Sequence, residues 1–274
     1  MSLKLMLVAS DIETIKEAEN AGVDRIFYDL EYINKVERQR GRNTLILNND
    51  IEDLPEIRKA VTKSELLVRV NSLYPKSKAE IDKAIEYGAD IIMLPMVIDA
   101  EDVKTLVSYV DGRAKVMPMI ETAQAMARID DILAVKGIDE IYIGLNDLHI
   151  SMGLTFMFEL LSGGLVEYMA NKITAAGINF GFGGMAKIGE GILPADAILA
   201  EHYRLGSNSV ILSRTFRNEV GDNRAKVDFA NEVRKVRLKE QEISCWTEEQ
   251  FDENRNFVKE KVNEVVDIIL SKQG

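Results

Sequence analysis

Two segments decide the fold of this chain: VMPMIET at residues 116–122 and IYIGLND at residues 141–147. Each contains a short apolar run that leads to a carboxylate, Glu121 in the first and Asp147 in the second, and one helix-length segment separates them. A strand, a helix and a second strand in this order form a right-handed unit with parallel strands, so both acids lie at the same edge of a sheet. Mg²⁺ and Mn²⁺ prefer hard oxygen ligands and usually take only one or two protein carboxylates. This edge is therefore a candidate metal site.

The same alternation continues along the whole chain. Eight short apolar or β-branched runs are each followed by a segment with helical spacing. Several helical segments end in a glycine, which closes a helix in the left-handed conformation before the next run begins. Eight such units in about 250 residues predict an α/β fold, the (β/α)₈ TIM barrel, with an open doubly wound sheet as the alternative. The predicted strands span residues 4–8, 25–30, 66–70, 91–94, 115–120, 140–143, 179–182 and 209–212.

Composition limits the class of protein. The chain has 274 residues, 46% of them hydrophobic, and no break that favours two domains, so residues 1–274 are predicted to form a single barrel domain. With 45 acidic and 34 basic residues the net charge is −11, which disfavours nucleic acid as a partner. No apolar stretch is long enough to cross a bilayer, so no membrane partner is expected. The single cysteine, Cys245, and the absence of a signal-peptide pattern predict a cytoplasmic location.

A further segment follows the eighth unit. TEEQ at residues 247–250 has the pattern of a capping box, which marks the start of a helix. An apolar stripe at helical spacing follows, formed by Val258, Val262, Val265 and Ile269. We predict an amphipathic C-terminal helix within residues 246–273, packed on the barrel or on a neighbouring subunit.

The predicted strand ends are polar, and in a TIM barrel these ends face a common mouth where active sites lie. A single polar residue at a strand end can be an ordinary surface residue without a function. Together they indicate a site: Asp29, Glu31, Arg69, Asn71, Glu121, Asn146, Asp147, Ser213 and Arg214.

Several motifs resemble those of the HpcH/HpaI aldolase and citrate lyase beta family, in the phosphoenolpyruvate/pyruvate barrel superfamily. The resemblance is carried by DLE at 29–31, LVRVNSL at 67–73, MLPMV at 93–97, PMIET at 118–122, and IGLNDL at 143–148 with SMG at 151–153. It implies that Glu121 and Asp147 hold a divalent metal and that Arg69 is the catalytic arginine. It also implies a homo-oligomer, a trimer or hexamer, because family members exchange terminal helices between neighbours.

The residues fit this chemistry independently of the resemblance. A 2-oxo acid can chelate a divalent ion, which then withdraws electrons from the keto group. When the C3–C4 bond of a 4-hydroxy-2-oxo acid breaks, negative charge develops on the keto oxygen, where Arg69 supplies a fixed cation. If a helical turn starts there, the backbone N–H groups of Leu145, Asn146 and Asp147 are placed to bind the substrate carboxylate.

The general base is where the sequence departs from the family pattern. Aldolase relatives follow the strand-two glutamate with a histidine and citrate lyase relatives have an aspartate, whereas this chain has Tyr32. His149, two residues beyond Asp147, is a candidate proton relay, with a capping or packing role as the alternative. Tyr32, a metal-bound hydroxide, and Glu31, which we expect to hold a coordinated water, remain competitors. His202 lies in a helical segment and is predicted to pack or to lie at the surface.

Three features concern the far end of the substrate. The connection between residues 31 and 50 is unusually long, and it either attracts anions or forms a solvated loop. Its basic residues are Lys35, Arg38, Arg40 and Arg42. The glycine-rich segment 183–191, which follows predicted strand seven, is either a phosphate-binding loop or a flexible lid. Arg214 could bind a phosphate or a second carboxylate.

The sequence therefore predicts a divalent-metal-dependent carbon–carbon lyase, an aldolase using Mg²⁺, Mn²⁺ or Co²⁺. It would cleave or form a 4-hydroxy-2-oxo acid through a pyruvate enolate. One alternative is an acyl-CoA lyase of the citrate lyase beta or malyl-CoA lyase type, which the citrate-lyase-like strands two and three favour. The other is a non-catalytic barrel that binds 2-oxo acids, which Tyr32 favours.

Overall fold

Eight parallel strands close into a barrel in chain order, and β8 pairs with β1. The computed structural model describes residues 2–33, 49–216 and 228–272. The TIM-barrel prediction is confirmed, and the open-sheet alternative is wrong. The strands are β1 Lys4–Val8, β2 Arg25–Asp29, β3 Glu65–Arg69, β4 Ile91–Leu94, β5 Lys115–Ile120, β6 Glu140–Ile143, β7 Asn179–Met185 and β8 Ser209–Leu212.

Helices surround the barrel, and the glycines predicted to close four of them, Gly22, Gly88, Gly177 and Gly206, all have positive φ. The helices are α1 Ile12–Asn20, α2 Leu54–Ala60, α3 Ser77–Glu86, α4 Ala100–Val110, α5 Ala123–Ala127, α6 Ile129–Leu133, α7 Leu145–Ser151, α8 Glu159–Ser162, α9 Leu165–Ala175, α10 Ala195–Leu205, α11 Phe229–Ile243 and α12 Glu248–Ser271. One-turn 3₁₀ helices lie at Ile51–Asp53 and Arg214–Phe216.

The barrel interior is filled rather than hollow. Its side chains form a core separate from the larger one between strands and helices, namely Met6, Phe27, Leu67, Ile91, Met93, Met117, Met119 and Tyr142. Arg25 at the start of β2 is fully buried and binds Glu140 of β6 through two hydrogen bonds of 2.8 and 2.5 Å. Its Nε also donates to Glu65 of β3 at 2.8 Å. Because a buried charge is tolerated only when paired, this network closes the N-terminal end, and the polar strand ends lie at the opposite mouth.

Strand β7 is longer than predicted and changes the interpretation of the glycine-rich segment. It continues to Met185, so the prediction that the segment 183–191 follows the strand is wrong for its first residues. A Cβ on Gly181 would lie 2.2 Å from Ser209 Oγ and 2.5 Å from Ser209 O, so only glycine allows β7 to approach β8 this closely. The β7–β8 register shifts between Gly181 and Gly184, as at a β-bulge.

The C-terminal helix α12 begins with the predicted capping box between Thr247 and Gln250. Val258, Val262 and Val265 are buried, and the helix packs on α10 and α8 of the same chain. None of the helices in the described ranges is long and apolar enough to span a membrane. The predicted basic cluster at residues 35, 38, 40 and 42 lies outside the described residues.

Candidate active site

The barrel mouth brings together four of the predicted site residues. Arg69 ends β3, and its Nη2 lies 3.3 Å from Glu31 Oε2, just beyond β2. Glu121, which follows β5, interacts electrostatically with Asp147, Glu31 and Arg69. Residues that are far apart in sequence thus form one cluster of three carboxylates and a guanidinium.

Arg69 is clamped by a residue whose role the sequence did not reveal. Asp29 lies opposite Arg69 in the β2–β3 register and accepts two hydrogen bonds from it, Nε to Oδ1 at 2.9 Å and Nη2 to Oδ2 at 2.8 Å. Such a bidentate pair fixes the plane of the guanidinium. Burial alone would lower the pKa of Arg69, but the charges of Asp29 and Glu31 raise it, so Arg69 remains a cation. The Asp29 carboxylate was visible in the sequence only as a polar strand end.

Glu121 is almost completely buried, with 1% of its surface exposed. Its Oε1 accepts a hydrogen bond of 2.8 Å from the backbone N–H of Met96. Burial raises the pKa of Glu121, the charges of Asp147 and Glu31 raise it further, and Arg69 opposes them. A bound cation would relieve this repulsion, because it favours the charged form of each nearby carboxylate.

The donor set fits a hard divalent ion. Glu121 and Asp147 offer carboxylate oxygens, and Mg²⁺ typically binds one or two carboxylates while water and substrate complete its octahedron. Within the described ranges, no three His, Cys, Asp or Glu side chains are arranged to hold a metal ion. Two protein carboxylates are the number that Mg²⁺ commonly takes, so Glu121 and Asp147 fit such an ion.

Helix α7 begins at Leu145, as the predicted carboxylate-binding role of residues 145–147 requires. Asn146 and Asp147 are half-buried in its first turn. His149 is buried, and its Nδ1 lies 3.2 Å from Leu145 O. Because a carbonyl oxygen only accepts, Nδ1 carries a proton in this contact, and in the neutral form of the ring the lone pair is then on Nε2.

Two other predicted residues lie in different surroundings. Tyr32 is 58% exposed and lines an open cavity of about 550 Å³ together with Tyr74 and Glu80. The backbone N–H of Tyr32 donates to Oδ1 of the buried Asn71 at 2.9 Å. In the sequence, Asn71 could be recognised only as a polar strand end. Arg214 is exposed in the 3₁₀ helix after β8.

His202 has a packing role, one of the two predicted for it. It is fully buried and stacks on Phe182 with ring centroids 3.8 Å apart. Burial lowers the pKa of His202 to about 3, so the ring is neutral at physiological pH. This leaves His149 as the histidine near the mouth.

The fold and the site together define a TIM barrel whose mouth gathers carboxylates around an arginine. The chain belongs to the HpcH/HpaI aldolase/citrate lyase family, whose model matches residues 4–201, so the predicted resemblance is confirmed. A solved HpcH/HpaI aldolase/citrate lyase family protein from Burkholderia cenocepacia has the same fold. The TM-score is 0.63 at 17% identity, covering 88% of this chain and 94% of that one.

Two curated relatives match parts of the chain. A hydroxypyruvate/pyruvate aldolase from Rhizorhabdus wittichii is 35% identical over 79 residues, which are 26% of this chain and 32% of that protein. A pyruvate kinase from Methylorubrum extorquens is 32% identical over 97 residues, which are 35% of this chain and 20% of that protein. The chain thus spans about a fifth to a third of the length of these relatives.

Proposed function

We propose that the chain is a divalent-metal-dependent carbon–carbon lyase that cleaves or forms a 4-hydroxy-2-oxo acid, with pyruvate as one partner. The observation that carries this proposal is the Arg69 guanidinium, which Asp29 holds through two hydrogen bonds near the carboxylate of Glu121, itself close enough to Asp147 for their charges to interact. Membership of a family of aldolases and lyases supports it. The name of the Rhizorhabdus relative supports a 2-oxo acid substrate.

A divalent ion held by Glu121 and Asp147 would supply Lewis-acid chemistry to the 2-oxo group when bound. Arg69 supplies a positive charge and a hydrogen-bond donor from the protein itself. Asp29 accepts hydrogen bonds from Nε and Nη2 of Arg69. Among the residues that the structure describes, the hydrogen-bond contact of Nη1 is with the sulfur of Met119 at 3.9 Å. The Nη1 group is therefore the edge of the guanidinium that can donate to the keto oxygen as charge develops there. Because Asp29 fixes the plane of the guanidinium, Arg69 is preorganised to stabilise the developing charge.

In the cleavage direction a base removes the proton of the 4-hydroxyl group, the C3–C4 bond breaks, and an aldehyde leaves. The bonding electrons move to C2 and its oxygen, which gives the enolate of pyruvate, and C3 then takes a proton. His149 is our first candidate for the base, because its neutral ring carries the lone pair on Nε2. Tyr32 and Glu31 remain candidates.

The half-reaction tests this proposal without knowledge of the aldehyde. With Mg²⁺, Mn²⁺ or Co²⁺, the protein should exchange the methyl protons of pyruvate with D₂O and should decarboxylate oxaloacetate, since both pass through the same enolate. Arg69→Lys should lower kcat for decarboxylation about 10²-fold or more, and far more than it raises KM, because a lysine cannot reproduce the planar fork. A protein that binds pyruvate in the presence of metal but performs neither reaction is a non-catalytic binding barrel. Cleavage of malyl-CoA would instead identify an acyl-CoA lyase.

We also propose a cytoplasmic homo-oligomer, a trimer or hexamer. The exposed single thiol of Cys245 suits a reducing compartment. Phe257, Ile268 and Leu270 of α12 are about half exposed, and such side chains are suited to a subunit contact. Sedimentation velocity of the purified chain would measure the assembly, and a monomer at all concentrations would contradict it.

A further inference from the structure

The backbone at Met96 has an unusual conformation. Its φ is 55°, and among the described residues Met96 and Asp111 are the non-glycine residues with positive φ. Asp111 ends helix α4, where a left-handed residue is common. Met96 lies two residues beyond β4 instead, and a left-handed conformation there costs of order 1 kcal/mol or more.

In this conformation Met96 donates a hydrogen bond to Glu121. The N–H of Met96 donates to Glu121 Oε1 at 2.8 Å, and Glu121 is buried. One of the two carboxylate oxygens is therefore already engaged by the backbone. The donor comes from the loop after β4, whereas the acceptor follows β5, so the contact fixes the carboxylate relative to the neighbouring strand.

Gly144 shapes the other side of the same carboxylate. A Cβ at this position would lie 2.7 Å from Glu121 Oε2, 2.9 Å from Glu121 Cβ and 3.1 Å from Met119 Cε. The φ and ψ of Gly144 are −84° and 87°, so the residue does not have the positive φ that favours glycine. The lack of a side chain is what leaves room for Glu121.

We propose that Met96 and Gly144 are positioning residues that hold Glu121 so that it offers a single oxygen, Oε2, to a divalent ion. This inference rests on the proposed metal site. A carboxylate with one engaged oxygen suits Mg²⁺ or Mn²⁺, which bind six ligands in an octahedron. It suits Ca²⁺ less, because Ca²⁺ takes six to eight ligands and often binds both oxygens of a carboxylate. The pair therefore favours the smaller ions.

The first test compares two glycines at the ends of neighbouring strands. Mn²⁺ is titrated calorimetrically into the purified full chain without substrate. Gly144→Ala should weaken Mn²⁺ binding about 10-fold or more, as expected when a residue that orients a ligand is changed. Gly184→Ala is the matched control, because its φ is not positive and the nearest atom to its Cβ is 3.7 Å away. It should bind Mn²⁺ within about 2-fold of wild type, since nothing near it need move.

The second test changes the conformation of Met96 and keeps the site otherwise intact. Met96→Gly tolerates positive φ and retains the N–H, so its Mn²⁺ affinity should stay near that of wild type. Met96→Val disfavours positive φ, so the hydrogen bond is lost and Mn²⁺ affinity should fall about 10- to 100-fold. Ca²⁺ affinity, measured by competition, should fall less, because Oε1 is released for binding. A general loss of structure would instead lower both affinities together.

The outcomes separate this inference from the function it rests on. A wild-type chain that binds no Mn²⁺ contradicts the metal site and the inference with it. Wild-type binding that persists unchanged in Gly144→Ala, or an unchanged ratio of Mn²⁺ to Ca²⁺ affinity in Met96→Val, overturns the inference alone. Should Met96→Val fail to fold, the comparison of Gly144→Ala with Gly184→Ala decides the matter.

Discussion

Asp29→Asn should separate the positioning of Arg69 from every other role at the mouth. The substitution keeps the shape of the side chain but replaces one accepting oxygen by an NH₂ group, which faces a guanidinium donor. Of the two hydrogen bonds at 2.9 and 2.8 Å, one becomes repulsive, and the charge that fixes Arg69 disappears. Glu31, whose Oε2 lies 3.3 Å from Nη2, still faces Arg69, and the charge of Glu121 also still acts on it.

The structure sets the size of the expected effect. Breaking a buried ion pair costs about 3–5 kcal/mol, and the lower end applies because Glu31 still faces the cation. A loss of about 3 kcal/mol lowers Tm by roughly 6–12 °C for a chain of this size. Displacing Arg69 by about 1 Å should lower kcat for oxaloacetate decarboxylation about 10²-fold. Mn²⁺ affinity should change little, since Asp29 is not a proposed ligand.

Glu140→Gln is the matched control, because Glu140 also holds a buried arginine, Arg25, through two hydrogen bonds, but at the closed end of the barrel. It should lose similar stability and keep kcat. Steady-state decarboxylation and thermal unfolding of both variants provide the measurement. If Asp29→Asn keeps kcat within about 3-fold of wild type, or if Glu140→Gln loses as much, the positioning role is refuted.

Three further outcomes are expected. Glu121→Gln should abolish most Mn²⁺ binding. The Mn²⁺ affinity of wild type should rise with pH, because the pKa of Glu121 is raised and Mn²⁺ binding must release its proton. Calorimetric titrations in two buffers would detect the released proton. Burial would raise the pKa of Glu19, but hydrogen bonds from residues 62–64 lower it to about 2. The free energy of unfolding in urea at pH 7 should therefore be roughly 3 kcal/mol larger for wild type than for Glu19→Gln. This difference should disappear as the pH falls from 4.5 to 2, because Glu19 then takes up a proton. If His149 is the base, His149→Ala should lose pyruvate proton exchange but keep decarboxylation, and Tyr32→Phe should keep both; the reverse pattern would assign the base to Tyr32.

The barrel could be predicted because its strands are buried on both faces. A parallel strand covered by helices has a nearly continuous apolar run, and glycine marks the end of the preceding helix, so the bounds of β4, β5 and β6 match the predicted ones. Strand β7 was predicted too short because Gly183 and Gly184 have the composition of a loop. What keeps them in the strand is the close approach of β8, which no local pattern reports.

The carboxylates and the arginine of the site could be found as polar strand ends, but their partners could not. That Asp29 binds Arg69 depends on the register of β2 against β3, and register is a property of the closed barrel. The positive φ of Met96 has no local signal at all, because methionine rarely adopts that conformation. Sequence patterns locate side chains on an edge of the sheet, whereas the hydrogen bonds that orient them depend on packing.

The architecture of the mouth also bears on the missing histidine. The parts that would stabilise an enolate, Arg69 with its Asp29 clamp and the buried Glu121, are held by strand ends and do not depend on the residue at position 32. Proton transfer is a separate task, and it needs only a lone pair within reach of the 4-hydroxyl group. His149 lies on helix α7, two residues beyond Asp147, and its hydrogen bond to Leu145 O favours the neutral tautomer that has its lone pair on Nε2. With His149 as the proposed base, the proton would be moved from helix α7, and Tyr32 would not need to replace a histidine in that task, while Arg69 and Glu121 keep the same contacts.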